Sequence, residues 1–591
     1  MKEINEIFRN YRKIAPMLIH VGKWDLLFIW ISVIISAILP TVSTILMQDI
    51  INFFQLSKTN YQELLILFAL YIICDVVLSI LAIWKNYTSM ILQQKLTLKI
   101  DMWIINKIRS LELQDFESTE SYNKLQRAKS QSGMQVFNYF SHITNIANHI
   151  IMVLGSIIIL LTWEIWPIAI VVVIAATNMT LLLKLNKYQY EVLRKRTGQE
   201  REKWYYQYIL TNDIAFKEIK AFSLHDFFKN KFLKIAKKFL RQDQHIAKKN
   251  ASIGIAKTVL EQSGNIIVLG KIFWDTYWGK ILIGNTMAYI KAISNIKSSI
   301  NNLFLEVANV YKESLYMSQL FEFLEMEINY ENKGKRKIDC IQEIKIEGLN
   351  YRYRNSNIYA LKDINMKIQK GDKFIVVGKN GSGKSTLAKI IAGFYEDYEG
   401  HIWVNGIDFH DIDKEYYRQC LGILFQDYNK YELKVRENVG VGNLNLIHKD
   451  KKIINSLEKA NAPKKLINLD IQLGHWFNDG IQLSGGEWLR LAISRIFLRD
   501  ADLYILDEPN AALDPIGESK ILASIKEILY SKSCIFITHH ISSIDKMPGN
   551  IIVMDKGEIV ACGKHTYLLE KCKLYREMYQ KSVELNKRQE D

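Results

Sequence analysis

The segment that most restricts how this chain can fold is GKNGSGKS at residues 378–385, which lies between the apolar run FIVV and the stretch TLAKIIAGF. This order predicts a buried strand, a phosphate-binding loop and the helix that follows it. Glycines let the loop backbone approach phosphate oxygens, so that amide groups and the helix N-terminus face the anion. The soluble part of the chain is therefore predicted to contain a parallel α/β sheet of the P-loop class.

Two further segments follow about a hundred residues downstream, LSGGE at 483–487 and LYILDEP at 503–509. An apolar strand that ends in two acids is expected to bring Asp507 to a metal ion and Glu508 to the attacking water. Lys384 should neutralise the β- and γ-phosphates, and Ser385 should ligate Mg²⁺. A glycine-rich loop alone is weak support, but its combination with the other two segments predicts binding and hydrolysis of ATP with Mg²⁺.

Together these segments resemble the ATP-binding cassette (ABC) proteins, and the likeness extends over roughly 344–580. The resemblance implies that Tyr353 stacks on adenine, although an ordinary edge-strand tyrosine is the alternative. It implies that Gln426 contacts Mg²⁺ and the water, and that His539 contacts the γ-phosphate. It also implies that AALD at 511–514 is the D-loop of a dimer interface.

The predicted site therefore has three groups of residues. The catalytic group is Glu508, His539 and Gln426. The metal ligands are Ser385, Gln426 and Asp507. The nucleotide-binding group is Tyr353, Gly378, Asn380, Gly381, Ser382, Gly383, Lys384, Ser385, Thr386, Ser484, Gly485 and Gly486.

The chain departs from the usual family pattern at two positions. Glu487 replaces the glutamine of the usual LSGGQ signature, and His540 stands where an arginine often follows the switch histidine. An added negative charge near phosphate is unfavourable on simple electrostatics. Ser484 and Gly486, with their backbone amides at a helix N-terminus, should supply most of the anion binding. We therefore expect the site to remain active.

The first 320 or so residues contain six stretches that are apolar and long enough to span a bilayer, which takes about 20 residues each. They lie near 26–47, 64–84, 143–163, 167–185, 256–277 and 286–308. The turn TWEIWP joins the third and fourth stretches, and its two tryptophans suit a membrane interface. Asp75 lies in the second stretch and several polar residues lie in the last two, so apolar composition alone leaves the count open.

The connecting segments predict the orientation in the membrane. The segments after spans two and four are long and basic, whereas those after spans one, three and five are short. The basic residues after span two are Lys95, Lys99, Lys107, Arg109, Arg127 and Lys129, and those after span four are Arg194, Lys195, Arg196, Lys217 and Lys220. By the positive-inside rule both long segments and both termini are cytoplasmic. The net charge of +15 is attributed to this rule rather than to nucleic-acid binding. Five of six cysteines fall in the soluble part, which predicts reduced thiols in the cytoplasm.

Two polar patterns in this membrane half each have two interpretations. Lys291, Asn295, Ser298, Asn302 and Glu306 share one face of span six, which predicts the lining of a cavity, with hydrogen bonding between packed helices as the alternative. Apolar residues recur at helical spacing between Ile4 and Leu18. They predict an amphipathic helix on the inner leaflet or a helix packed on protein.

The predicted architecture is an all-α membrane domain of six transmembrane helices, at 1–325, followed by an α/β P-loop nucleotide-binding domain. A polar linker covers 326–343 and the cassette covers 344–591. Six spans followed by one cassette resemble an ABC exporter half-transporter. The resemblance implies a homodimer in which the P-loop of one chain and the signature of the other share each ATP.

Four segments, at 200–222, 314–325, 425–440 and 472–488, resemble the lantibiotic exporters of the nisin and subtilin type. The resemblance implies export of a lanthionine-containing precursor peptide across a bacterial cytoplasmic membrane. It also implies partnership with the dehydratase and cyclase that modify the peptide. Span one starts near residue 26 and no cysteine precedes Cys74, so we expect no N-terminal peptidase domain. A multidrug or lipid exporter and a non-transporting membrane ATPase, acting as a sensor or immunity module, are the alternatives.

Overall fold

The computed structural model describes most of the chain and divides it into two compact units. The described residues are 2–590 apart from 57–59, 119–120, 122–123, 126–127, 129–132, 165, 327–333, 355, 510–514, 529–531 and 540–546. The first unit comprises Met1–Arg109 and Asn123–Met326, and the second comprises Ser110–Tyr122 and Glu327–Asp591. The tip of the first long connecting segment therefore belongs with the cassette, while the rest of the N-terminal half forms its own bundle.

The first unit is built from long helices. They are α1 (Lys2–Gln55), α2 (Tyr61–Arg109), α4 (Gly133–Leu161), α5 (Trp166–Thr211), α6 (Asp213–Ala221), α7 (His225–Tyr277) and α8 (Ile283–Leu324), while α3 (Leu113–Glu117) lies in the second unit. Among the described residues, the helical stretches long and apolar enough to cross a membrane are Arg9–Gln55, Tyr61–Arg109 and Gly133–Leu161. The other three predicted spans lie within α5, α7 and α8, which have 46, 53 and 42 residues.

The N-terminal amphipathic segment is continuous with the first span, and a kink at Gly22 separates the two within α1. Ile14 and Leu18 are buried. The amide of Asn10, also buried, donates to the backbone oxygen and the hydroxyl of Ser314, each at 2.9 Å. This segment therefore packs on protein, which favours the second of its two interpretations.

The polar and apolar faces predicted for span six are separate on α8. Ile293 and Ile296 are buried in a cluster with residues of α4 and α7, whereas Lys291 and Asn302 are exposed. Glu306 differs from the rest of the polar face because it pairs with His142 and accepts a 3.0 Å hydrogen bond from Asn145. The interhelical alternative thus describes Glu306, whereas Lys291, Ser298 and Asn302 are exposed in the single chain.

The second unit holds two sheets. One is antiparallel, in the order β2-β1-β4-β5, and the other is mainly parallel, in the order β10-β9-β3-β8-β7-β6. The strands are β1 (Glu343–Tyr351), β2 (Leu361–Gln369), β3 (Lys373–Gly378), β4 (Glu399–Val404), β5 (Ile407–Asp408), β6 (Leu421–Leu424), β7 (Leu503–Asp507), β8 (Ser533–Ile537), β9 (Asn550–Asp555) and β10 (Glu558–Gly563). Strand β7 is buried along its whole length, which explains its continuous apolar sequence.

Helices cover the parallel sheet and form a helical subdomain beside it. They are α9 (Lys384–Ile391), α10 (Lys414–Gln419), α11 (Val435–Gly440), α12 (Asp450–Lys459), α13 (Gly485–Arg499), α14 (Pro515–Ile528), α15 (His565–Lys571) and α16 (Lys573–Glu590). A separate apolar cluster joins α11, α12 and α13 through Val439, Leu457 and Leu491. Helix α9 packs in one core cluster, whereas α13 contributes both to this subdomain cluster and to a cluster that it shares with β3.

Candidate functional site

The phosphate-binding loop connects β3 to α9, and at two of its positions a residue larger than glycine would be unfavourable. Gly383 caps α9 at a φ of +99°, in the left-handed region that glycine tolerates. A Cβ on Gly378 would lie 2.2 Å from the backbone oxygen of Met554. The loop is therefore held close against β9, and it leads directly into the start of α9. The Ser382 hydroxyl is buried there, and it has no hydrogen-bond partner among the described residues.

Lys384 folds back into this loop. Its ammonium donates to the backbone oxygens of Gly378 at 2.9 Å and Lys379 at 3.0 Å. Burial lowers the pKa of this lysine, while the carboxylates of Glu508 and Asp507 oppose that shift. A buried cation at the N-terminus of a helix is a site for a polyanion such as a nucleotide phosphate chain.

Strand β7 delivers two carboxylates to the same end of the sheet. Asp507 is only 3% exposed, and burial raises its pKa, although a hydrogen bond from Ser385 counteracts this effect. Mg²⁺ prefers oxygen ligands and binds through one or two protein groups together with substrate phosphates. Ser385 and Asp507 fit this requirement and would hold the ion. Gln426 and Asp507 line one cavity of about 330 Å³. Gln426 would add its amide oxygen to the ligands of the ion.

Glu508 lies at the centre of the predicted catalytic group. It accepts a 2.8 Å hydrogen bond from the amide of Gln426, and its other oxygen lies 3.0 Å from Nδ1 of His539. The backbone φ of Glu508 is +51°, a conformation that costs free energy for a residue with a side chain. The three side chains come from the ends of β6, β7 and β8, which are neighbours in the sheet. Such an arrangement can orient a water molecule and accept its proton.

Tyr353 lies beside the phosphate-loop helix. Its hydroxyl is 2.9 Å from the hydroxyl of Thr386, and its ring meets those of Tyr351 and Tyr395 edge to face. The ring is only partly buried. This position keeps a ring near the phosphate loop, as the predicted adenine contact requires.

The signature segment starts α13, with Ser484 as its N-cap. Ser484 and Gly485 are exposed on this protomer. The helix N-terminus thus presents free amide groups and small side chains to solvent, which suits an anion supplied from outside the chain. Two features that the sequence suggested lie outside the described residues. They are the D-loop at 511–514 and His540, the unusual neighbour of the switch histidine.

Sequence reasoning missed two features of this unit. Lys465 forms an ion pair of 2.7 Å with Glu487, and nothing in the local sequence signals this pairing. Helix α3 packs on the cassette, where Tyr395 donates a 2.8 Å hydrogen bond to Glu117 and Gln114 is buried.

Comparison with known proteins identifies the family of the chain. Residues 361–511 match the family model described as ABC transporter, a family whose domain binds ATP, generally with Mg²⁺. The subtilin transport ATP-binding protein SpaT of Bacillus subtilis is 33% identical over 564 residues, which cover 94% of this chain and 92% of that protein. The nisin transport ATP-binding protein NisT of Lactococcus lactis subsp. lactis is 35% identical over 552 residues, which cover 92% and 91%.

More distant matches extend the comparison. An ATP-dependent lipid A-core flippase of Alcanivorax borkumensis is 27% identical over 430 residues, which cover 71% of this chain and 72% of that protein. The solved structure of a bacterial Atm1-family ABC exporter with ATP bound superposes with a TM-score of 0.80 at 17% identity, covering 95% of this chain and 98% of that one. The predicted fold class is therefore confirmed. The chain belongs to the ABC transporter family, and it is an exporter half-transporter with a helical membrane domain and a C-terminal ATPase domain.

Proposed function

We propose that this chain exports a lanthionine-containing precursor peptide across the bacterial cytoplasmic membrane at the expense of ATP. The observation that carries the proposal is a sequence identity of 33% and 35% to proteins named for subtilin and nisin transport, over more than nine-tenths of the chain. The flippase match is weaker and covers 71% of the chain. Similarity that includes the membrane half supports a shared class of cargo, because that half provides the transport path.

The proposed ATPase chemistry follows from the residues around Glu508. Its carboxylate takes a proton from a water molecule whose oxygen bonds to the γ-phosphorus, while the bond from that phosphorus to the β-phosphate oxygen breaks. Gln426 and His539 hold Glu508 through its two oxygens, so that the base is fixed in one orientation. Lys384, Ser385 and Asp507 supply charge and metal ligation around the departing phosphate oxygens.

The proposed working unit is a homodimer with two shared ATP sites. The support is the exposure of Ser484 and Gly485 at the start of α13, which leaves the signature free to meet a nucleotide bound to a second chain. In this arrangement ATP joins the two cassettes, and its hydrolysis separates them. Alternation between the two states supplies the movement that transport requires.

The proposed orientation places both termini and the cassette in the cytoplasm. The basic segments after spans two and four support it, because cytoplasmic loops carry an excess of lysine and arginine. In this orientation the peptide enters from the cytoplasm, where a lanthionine-forming dehydratase and cyclase would supply it. Those two enzymes are proposed partners.

A lipid or multidrug exporter of the same architecture is the second candidate, and the flippase match favours it. A non-transporting ATPase would keep the cassette but dispense with the exposed polar stripe on α8. Deletion of the gene, followed by measurement of secreted peptide, separates these functions. The proposal predicts that the modified precursor accumulates inside the cells and that the wild-type gene restores secretion, whereas the Glu508→Gln gene does not. Unchanged secretion from the deletion strain contradicts the proposal.

A further inference from the structure

The acidic residue of the signature has a complete set of partners in this structure. The backbone amide of Ser484 donates to Oε2 of Glu487 at 2.8 Å, and the backbone amide of Glu487 donates to the Ser484 hydroxyl at 3.3 Å. This reciprocal arrangement is a capping box, in which either glutamate or glutamine serves at the third helical position. Glu487 therefore preserves the helix cap that a glutamine would form, but it adds a negative charge at the anion-binding end of α13.

Lys465 compensates that charge. Its ammonium lies 2.7 Å from Oε1 of Glu487, the carboxylate oxygen that the Ser484 amide does not use. Burial alone would raise the pKa of Glu487, but the hydrogen bonds from Lys465 and the Ser484 amide hold it below its ordinary value. The carboxylate is thus ionised and neutralised at the same time.

The pair is held in place by the core of the helical subdomain. Lys465 belongs to the short helical turn Lys464–Ile467, whose Leu466 is fully buried. Trp488, which follows Glu487, is buried in the same apolar cluster as Leu466. Each charged residue is therefore adjacent to a residue anchored in a common core, which keeps the two backbone segments at a fixed separation.

We propose that Lys465 is a positioning residue for the nucleotide site, which neutralises Glu487 and thereby keeps the start of α13 attractive to phosphate. With the charge balanced, Ser484 and the amides of Gly485 and Gly486 face the γ-phosphate of an ATP held by the partner chain. This role rests on the shared ATP site proposed above. Without Lys465, the Glu487 carboxylate would repel that phosphate across a helix terminus that otherwise favours anions.

The test is a double-mutant cycle in the full-length protein reconstituted in lipid, with ATPase rates measured against ATP concentration. We expect Lys465→Met to raise KM for ATP about threefold to tenfold with a smaller change in kcat. Lys465→Arg should keep KM within about twofold of the wild type, because it keeps the charge. In the Glu487→Gln background Lys465→Met should leave KM unchanged, since no carboxylate remains to be neutralised.

The matched control is Lys464→Met, which removes an exposed lysine from the same turn. Thermal unfolding of each variant checks that the helical subdomain is intact. The inference is overturned if Lys465→Met leaves KM unaltered, or if it raises KM equally with and without Glu487. The Ser484→Ala variant distinguishes failure of this inference from failure of the shared ATP site. Full ATPase activity of Ser484→Ala contradicts the shared site itself, regardless of the KM values of the Lys465 variants.

Discussion

At the scale of single residues, the account depends on Glu508 more than on any other side chain. Its neighbours bind both carboxylate oxygens, and its left-handed backbone is maintained by a hydrogen bond of 3.0 Å from its amide to the Ile537 oxygen. A strained residue with two oriented partners is typical of a position selected for chemistry rather than stability.

The first prediction concerns this residue. Glu508→Gln should retain ATP binding but lower the hydrolysis rate about a hundredfold or more, because an amide of the same shape cannot take a proton. It should also accumulate an ATP-bound dimer, detectable by size or crosslinking. Glu558→Gln, at an exposed position on β10, is the control and should hydrolyse ATP normally. Near-normal turnover by Glu508→Gln would remove this residue from the role of general base.

The second prediction concerns two lysines of α8. Lys297 forms an ion pair of 3.2 Å with Glu261, whereas Lys291 is exposed on the polar stripe and has no ion pair within the described part of the chain. A lysine without an ion-pair partner attracts anionic groups of the cargo peptide more strongly in a partly wet cavity than in bulk water. Lys291→Ala should therefore lower peptide-stimulated ATPase activity and secretion, while ATPase activity without peptide stays at the wild-type level. Lys297→Ala should have the smaller effect on stimulation. Wild-type export by Lys291→Ala contradicts this role.

At the scale of elements, the helix α3 shows how a connecting segment attaches to the cassette. Tyr395 donates to Glu117, and Arg354 lies 3.5 Å from Asp115, so the middle and the last residue of this short helix each have a polar contact with the cassette. Leu113 lines a cavity of about 610 Å³ together with Phe425. Phe425 and Asp427, which also line this cavity, flank Gln426 in the sequence, so α3 lies close to the segment that carries this glutamine.

The third prediction is that a cytoplasmic tip docks beside Gln426. Phe216 is 55% exposed on α6, in the second long connecting segment. In a chain freed of its native cysteines, Phe216→Cys paired with Asn429→Cys, or Leu113→Cys with Asn429→Cys, should form a disulfide in at least one nucleotide state. Phe216→Cys with Val560→Cys is the control, because β10 lies at the opposite edge of the sheet from β6. Absence of both crosslinks in every nucleotide state contradicts the predicted docking beside Gln426.

The elements differ in how much of them the sequence could predict. Strand β7 and the phosphate loop were predictable, because a strand buried on both faces has a continuous apolar sequence and a close backbone approach needs glycine. The contact between Lys465 and Glu487 was not, because it depends on a turn that packs against the start of a helix distant in sequence. The role of the segment around Ile14 also stayed open, since an apolar stripe suits lipid and protein equally.

At the scale of the whole molecule, the account requires two chains. The residues proposed to bind phosphate in the loop after β3 and those at the start of α13 lie about a hundred residues apart in the chain, so a substitution in one segment leaves the side chains of the other unchanged. This separation makes the shared site testable by complementation, a test that a self-contained ATPase would fail.

The fourth prediction follows from that separation. Chains with Lys384→Ala and chains with Ser484→Ala should each hydrolyse ATP poorly, but their verified heterodimer should regain part of the activity because one of its two sites is intact. Homodimers of each mutant, purified in the same way, are the controls. No recovery in the heterodimer argues against the shared site or shows that both sites must act together.

The most direct measurement of the central claim is ATP-dependent accumulation of the lanthionine-containing precursor in inside-out vesicles that contain the purified chain. The account predicts uptake with wild-type protein and ATP, and no uptake with Glu508→Gln or without nucleotide. The same vesicles should move a fluorescent lipid or a cationic dye no faster than vesicles without protein. Transport of lipid or dye without transport of the peptide would contradict the account and assign the chain to the second class of exporter.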